Sequence, residues 1–187
     1  MKKIAAHYWL RPDGSIGKFP IITFDSDNKI VEIRERDSFK EEASLLLING
    51  FLIPGLVDFA AASLLSDELS TSKKYLNRCY IQGIRALGVP PDVYAHLKKA
   101  SPGNILLVET DIPDAKQDLP MGFEKIQTAT DTLSELMNLT INNAKAMGIE
   151  CSYGSLQVGK SPGLLAISNL DYNTFNIDEN TKLKGIV

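Results

Sequence analysis

The first fifty residues carry the period-two pattern of hydrophobic and polar side chains that is typical of β-strands. Residues 29–35 alternate polar and apolar side chains, as a strand with one solvated face does. Residues 4–10 and 19–24 predict two further strands, and turn-forming residues separate the three segments. Residues 45–48 are continuously apolar, which predicts a fully buried strand. The chain therefore begins with a hairpin-rich sheet.

Beyond this part, the apolar spacing changes to the three-to-four-residue period of helices. We predict helices over residues 73–82 and 93–100, a buried parallel strand over 104–109, and a long helix over 132–147 that ends at Gly148. This order predicts a β-α-β-α-β unit followed by a long helix.

The C-terminal part returns to strand-like patterns. Residues 155–158 and 164–167 predict strands on either side of a glycine-containing turn, and residues 182–187 alternate in polarity. The sequence contains no internal repeat and no low-complexity tract.

The composition is that of a globular protein, with 44% hydrophobic and 23% charged residues. Its 20 basic and 23 acidic residues give a net charge of −3, and the basic residues are scattered, which disfavours nucleic acid and anionic membranes as partners. The N-terminus has no apolar region of the length that a signal peptide needs, and no apolar run in the sequence is long enough to span a membrane. We therefore expect a cytoplasmic protein.

The two cysteines lie far apart in the sequence and form no C-x-x-C pair. We expect Cys79 and Cys151 to be buried or half-buried free thiols in a reducing compartment, with a single disulfide as the alternative.

Three segments resemble motifs of the amidohydrolase superfamily and occur in the order that the family has. The first, INGFLIPGLVD at 48–58, is similar to the passage from the small β-domain into the first barrel strand. The second, LTINNAKAMG at 139–148, resembles the final helix, and the third, YGSLQVGK at 153–160, resembles the turn that returns the chain to the β-domain. Because their order is also that of the family, the three motifs together are more specific than any one of them.

This resemblance implies a β-sandwich composed of both termini beside a (β/α)8 barrel. The sandwich would take residues 1–51 and 149–187, which leaves residues 52–148 for the barrel. A full barrel needs about 250 residues, so this segment has room for about three βα units. We therefore predict an α/β protein in which a small composite β-sandwich adjoins a truncated TIM-barrel-like segment.

The resemblance also implies the position of the family's metal site, where this chain departs from the pattern. Two and four residues after Asp58 the family has a His-x-His pair, whereas this chain has Ala60 and Ala62. A methyl group has no lone pair to donate to a transition metal, whereas imidazole nitrogen is a common ligand. The chain contains two histidines in all, too few for the usual site. We therefore predict no catalytic, cofactor-binding or metal-ligating residues and no cofactor.

A few further residues could carry chemistry. Asp131 is either a remnant of the family's last-strand aspartate or the N-cap of a helix that begins ahead of Leu133. His7 and His96 have no companion ligands at metal-binding spacing, so we interpret both as surface or core histidines. Cys151 follows a helix end, where the helix dipole disfavours a thiolate.

An acidic segment and a glycine position are also relevant to metal binding. Asp111, Asp114 and Asp118 share an acidic segment that could bind a hard cation, but it lacks the glycine and ligand order of a calcium loop, so we interpret it as a solvated connection. Gly163 stands where many members of the family have an aspartate after the Gly-Lys turn.

These observations lead to hypotheses from different functional classes. The first is a catalytically inactive amidohydrolase-like protein with a role in binding, assembly or regulation, which forms a homodimer through the open barrel face or binds a full-length amidohydrolase paralogue. The alternative is a hydrolase of non-peptide carbon–nitrogen bonds, such as a cyclic amidase or deaminase, with a rebuilt or shared metal site. A small-molecule ligand at the strand ends near Asp58 is a third hypothesis.

Overall fold

The described strands form a seven-stranded mixed sheet and a three-stranded parallel sheet. The computed structural model describes residues 1–37, 42–60, 69–101, 103–110 and 120–187. In chain order the elements are β1 (Lys2–Leu10), β2 (Ile16–Lys18), β3 (Pro20–Phe24), β4 (Ile30–Glu35), β5 (Leu45–Pro54), β6 (Leu56–Phe59), α1 (Leu69–Ile81), β7 (Ile84–Val89), α2 (Pro91–Ala100), β8 (Leu106–Glu109), α3 (Phe123–Thr128), α4 (Thr132–Met137), a π-helical segment (Asn138–Asn142), α5 (Asn143–Ala146), β9 (Leu164–Ser168) and β10 (Lys182–Gly185).

The large sheet is composed of both ends of the chain, which confirms the predicted composite, sheet-rich domain. Its strand order is β10-β9-β5-β1-β3-β4, with β2 paired to β1. The N-terminal and C-terminal strands of this sheet meet where β5 pairs antiparallel with β9. In this pairing Phe51 lies opposite Ile167 and Pro54 lies opposite Leu164. The strands of this domain pair as one continuous sheet.

Both faces of the large sheet are buried, and the alternation of side chains along its central strands explains why. Leu52 and Ala166 face one core, while Phe51, Ile53 and Ile167 face the other. The second core also contains side chains of the α/β segment, including Leu76 from α1, Ile84 from β7 and Leu136 from α4. The two parts of the protein therefore share one hydrophobic core. The predicted boundary at residues 51 and 52 remains a prediction, and β5 continues beyond it to Pro54.

The α/β segment has the predicted β-α-β-α-β order. Strands β6, β7 and β8 lie side by side and parallel, connected through α1 and α2. The predicted long helix is also present as α4, the π-helical segment and α5 in succession. Gly148 ends it with a positive φ of 67°, and the Ile149 amide donates to the Ala144 carbonyl, as expected for a glycine C-cap.

The predicted full burial of residues 45–48 was wrong. Leu46 and Leu47 were expected to be fully buried, but they are 47% and 53% exposed. The reason is that β9 pairs with β5 only from Phe51 onward, so the first half of β5 has a described strand, β1, on one side alone.

Residues 155–158 do not form the predicted strand. Gly154 and Gly159 have φ angles of 82° and 94°, which interrupt an extended conformation on both sides of this segment. Its end is instead fixed to the start of β4, because the Gly159 amide donates to the Ile30 carbonyl and the Ile30 amide donates to the Lys160 carbonyl, at 2.8 and 2.9 Å.

None of the described helices is both long and apolar enough to cross a membrane.

Candidate functional site at the carboxyl end of β6

Asp58 lies near the carboxyl end of β6 and is fully buried. Its Oδ1 accepts hydrogen bonds from the Phe59 amide at 2.9 Å and from the Lys125 ammonium at 2.5 Å, and its Oδ2 accepts one from the Gly122 amide at 2.8 Å. The Lys125 side chain is 27% exposed, whereas that of Asp58 is 1% exposed. A buried carboxylate is thus compensated by one cation and two backbone N–H groups.

The turn before α3 brings these donors to Asp58. Gly122 has a φ of 50°, and a Cβ atom there would lie 2.6 Å from the Gln82 carbonyl oxygen, so the close approach of this turn to the end of α1 requires glycine. The Phe123 amide donates to the same carbonyl at 3.0 Å and fixes the start of α3. Lys125 is the third residue of α3 and is thereby held against the strand end.

Ala60, where the family has the first histidine of its pair, is 4% exposed and packs in the large hydrophobic core. Its amide donates to the Gly88 carbonyl at 2.8 Å, which continues the pairing of β6 with β7. Ala62, the second such position, lies outside the described residues. The described part of this site therefore presents an apolar methyl group where the family has a metal ligand.

The residues at this site do not fit the metal ion that the family resemblance implies. Both carboxylate oxygens of Asp58 already accept hydrogen bonds, and the Lys125 ammonium would repel a second cation. Ala60 offers no lone pair. Within the described ranges, no group of three or more His, Cys, Asp or Glu side chains is placed to hold a metal ion.

Cys79 lies in α1, next to this site. Burial raises the pKa of the Cys79 thiol to about 12, and the negative charge of Asp58 adds to this effect. Its Sγ atom lies 3.8 Å from the Sδ atom of Met121. At neutral pH the thiol is therefore protonated and unsuited to nucleophilic attack.

The cysteines are both free, as predicted. Cys79 is buried, but Cys151 is exposed, so the expectation that both would be buried or half-buried was wrong for Cys151. Cys151 lies in the turn-rich segment after the last helix, where no packed element covers its side chain in the described structure.

Asp131 is the N-cap of α4. Its Oδ1 accepts hydrogen bonds from the amides of Leu133 and Ser134, both at 3.1 Å. Of the two interpretations that the sequence allowed, the structure therefore shows the capping role. His7 lies on β1 and His96 on α2, and both are half-buried. The aspartates at 111, 114 and 118 lie outside the described residues.

Sequence analysis missed Lys125 and Gly122 as parts of this site. They follow Asp58 by 67 and 64 positions, so no local spacing connects them to it. Lys125 also lies in α3, a helix of six residues that is too short to produce a clear periodic signal. The Asp58 position itself was found through the family motif.

A groove of about 460 Å³ runs beside β8, at a different place from Asp58. Tyr94 and Lys98 of α2, Leu106 of β8, and Tyr153 after the last helix line it. The Lys98 ammonium lies 5.2 Å from the centre of the Tyr94 ring.

No protein-family model matches this chain. No curated protein sequence matches it either.

Solved structures do match parts of it. An ochratoxinase from A. niger is 17% identical, with a TM-score of 0.42 over 58% of this chain and 30% of that protein. An aminofutalosine deaminase from Helicobacter pylori is 14% identical, with a TM-score of 0.41 over 74% of this chain and 41% of that protein. A Xaa-Pro dipeptidase is 12% identical, with a TM-score of 0.40 over 59% and 34%.

This chain thus spans between 30% and 41% of the length of these three proteins. The scores describe partial similarity, and the motifs in the sequence carry the family likeness.

Proposed function

We propose that this protein is a non-catalytic amidohydrolase-like protein that functions through binding and assembly. The proposal rests on the hydrogen bonds of Asp58. Its two carboxylate oxygens accept hydrogen bonds from the Lys125 ammonium and from two backbone amides. A hydrolase of this kind activates water through a bound metal ion. At the described end of β6, an ammonium ion and a methyl group stand in place of the groups that would hold one.

The charge balance at this strand end supports the proposal. The Lys125 ammonium neutralises the carboxylate of Asp58 inside the protein, where an unpaired charge is costly. A divalent cation would have to displace this ammonium and find its other ligands elsewhere. The site is therefore stable without a metal.

Metal analysis tests this proposal. Purified protein is incubated with equimolar zinc or manganese, freed of unbound metal, and analysed by inductively coupled plasma mass spectrometry. We expect substoichiometric metal in the native chain and no hydrolysis of cyclic amides or Xaa-Pro dipeptides. Stoichiometric metal that is lost in an Asp58→Asn variant would contradict the proposal, because it would show a working site at this carboxylate.

We further propose a homodimer through the β8 edge of the parallel sheet. The opposite edge, β6, lies under the last helix, where Asn143 Nδ2 donates to the Val57 carbonyl at 2.8 Å. At β8, Leu106 is 38% exposed and borders the groove described above. No described strand pairs with the outer side of β8, and an edge strand with apolar side chains favours pairing with another chain. A second copy supplies the same edge.

Light scattering coupled to gel filtration tests the dimer. At micromolar concentration we expect a particle of twice the 20.6 kDa mass of one chain. Leu106→Glu should give a monomer, because a charge in the interface loses its solvation. Val158→Glu is the matched control, since Val158 is 61% exposed and the next residue, Gly159, is hydrogen-bonded to the start of β4 in the other sheet. A monomeric native chain would rule out the homodimer and leave a separate amidohydrolase as the partner to be tested.

A further inference from the structure

Arg85 is a buried arginine in the middle of the parallel sheet. It lies on β7, and 8% of its surface is exposed. A guanidinium group has N–H donors on Nε, Nη1 and Nη2. Here Nη1 donates to the carbonyl oxygens of Tyr80 and Ile84, at 3.1 and 3.2 Å. Two backbone carbonyl groups thus fix the position of Nη1.

Other contacts hold the rest of the side chain in place. The guanidinium carbon lies 4.0 Å from the centre of the Tyr80 ring, a cation–π arrangement. Cβ atoms at Gly55 and Gly163 would lie 2.3 and 3.2 Å from Arg85 Cγ, so the two glycines leave room for its aliphatic part. The orientation of the guanidinium is therefore set before any ligand arrives.

The other edge of the guanidinium has no acceptor in the described structure. Neither Nε nor Nη2 hydrogen-bonds to a described residue, and no described carboxylate forms an ion pair with Arg85. Neither nitrogen is among the buried side-chain polar atoms that lack a partner, so the small exposed part of Arg85 includes this edge of the guanidinium. Burial lowers the pKa of Arg85, and the nearby Tyr80 acts in the opposite direction.

Gly185, on the edge strand β10, lies close to Nη2. A Cβ atom at Gly185, on the edge strand β10, would lie 2.9 Å from Nη2 and would meet no other atom within 4 Å apart from its chain neighbours. Because residue 185 has no side chain, this edge of the guanidinium is left uncovered at that point.

We propose that the Nε and Nη2 edge of Arg85 binds the oxyanion of a small ligand, a carboxylate or a phosphate. Two parallel N–H donors on a planar, oriented guanidinium match the two oxygens of either group. The ligand would supply the negative charge that the described protein does not. This site is separate from Asp58 and does not depend on whether a metal binds there.

Nuclear magnetic resonance of the arginine Nε–H groups tests the proposal directly. The 15N-labelled chain is titrated with sodium phosphate, sodium acetate and sodium chloride at equal ionic strength, and the Arg85 signal is assigned by its loss in Arg85→Lys. We expect this signal to shift and saturate with phosphate or acetate but not with chloride, and the stronger of the two identifies the oxyanion. The absence of a saturable shift with either anion would overturn the proposal.

Two variants separate binding at Arg85 from general effects of anions. Gly185→Ala places a methyl group beside Nη2 and should weaken binding about tenfold or more, while the charge of Arg85 is retained. Arg78→Lys is the control, because Arg78 is an exposed arginine already paired with Glu124 at 2.9 Å, and it should bind the anion as the native chain does. Unchanged affinity in Gly185→Ala would also overturn the proposal.

Discussion

At the scale of single residues, buried charges are the most informative feature of this protein. Asp58 and Arg85 are both nine-tenths buried or more, but they differ in how many of their polar atoms have hydrogen-bond partners. Asp58 is compensated by Lys125 and backbone amides, whereas Nε and Nη2 of Arg85 have no acceptor among the described residues. The first arrangement is that of a closed structural site, and the second is that of a site prepared for an anion.

Replacing Lys125 tests how much the ion pair contributes to stability. Lys125→Met leaves the Asp58 carboxylate buried without its cation, and we expect the free energy of unfolding to fall by about 3–5 kcal/mol. Combining it with Asp58→Asn removes the uncompensated charge and should recover a large part of the loss. Urea unfolding of the two single variants and the double variant measures both effects.

The matched control for this cycle is Lys145→Met, on the exposed side of α5. We expect it to change the unfolding free energy by about 0.5 kcal/mol or less. Equal losses in Lys125→Met and Lys145→Met would contradict the structural role of the buried pair.

At the scale of elements, the last helix protects the first strand of the parallel sheet. Asn143 lies on α5 and donates from its side chain to the Val57 carbonyl on β6, a group that no neighbouring described strand on that side satisfies. The preceding π-helical segment includes Thr140, whose hydroxyl donates to the Leu136 carbonyl at 2.5 Å. Such segments change the direction in which the following side chains point.

Asn143→Ala should therefore destabilise the protein. The change leaves the Val57 carbonyl without its partner, and the expected loss is about 1–3 kcal/mol of unfolding free energy. Asn142→Ala is the control, because Asn142 is exposed and its side chain donates to the Asn138 side chain on the same helix at 3.0 Å. Chemical denaturation should show little change in the unfolding free energy of the control. Similar losses in both variants would argue against a stabilising role for the hydrogen bond between the last helix and β6.

At the scale of the whole molecule, charges distant in the sequence join the strands of the large sheet. The Glu42 carboxylate, just before β5, accepts from Lys3 on β1 and from Arg34 on β4, both at 2.6 Å, and from Arg36 after β4. These hydrogen bonds, with that of Lys3 the largest cause, lower the pKa of Glu42 to about 2.

This cluster predicts a specific loss of stability in acid. A carboxylate whose folded pKa is depressed stabilises the fold above its ordinary value of 4.5, and the contribution disappears as the pH falls towards 2. Glu42→Gln should therefore lower the melting temperature at pH 6 and have little effect near pH 2. Melting curves across this range measure it, and Glu179→Gln, at an exposed position, should follow the native profile throughout. A difference between Glu42→Gln and the native chain that is independent of pH would contradict the assignment.

The sequence by itself determined the features that depend on local order along the chain. The alternation over residues 29–35, the helical spacing after residue 132 and the glycine stop at Gly148 each predicted the element that the structure contains. The three ordered motifs predicted the composite sheet. Local patterns succeed here because backbone periodicity and capping involve residues a few positions apart.

Only the tertiary structure decided which side chains meet across long separations. It brought Lys125 to Asp58 and placed Arg85 beside Gly185, and it left Leu46 and Leu47 exposed where β9 ends short of them. The physical reason is that burial and charge compensation depend on which elements pack together. No spacing within a single element contains that information.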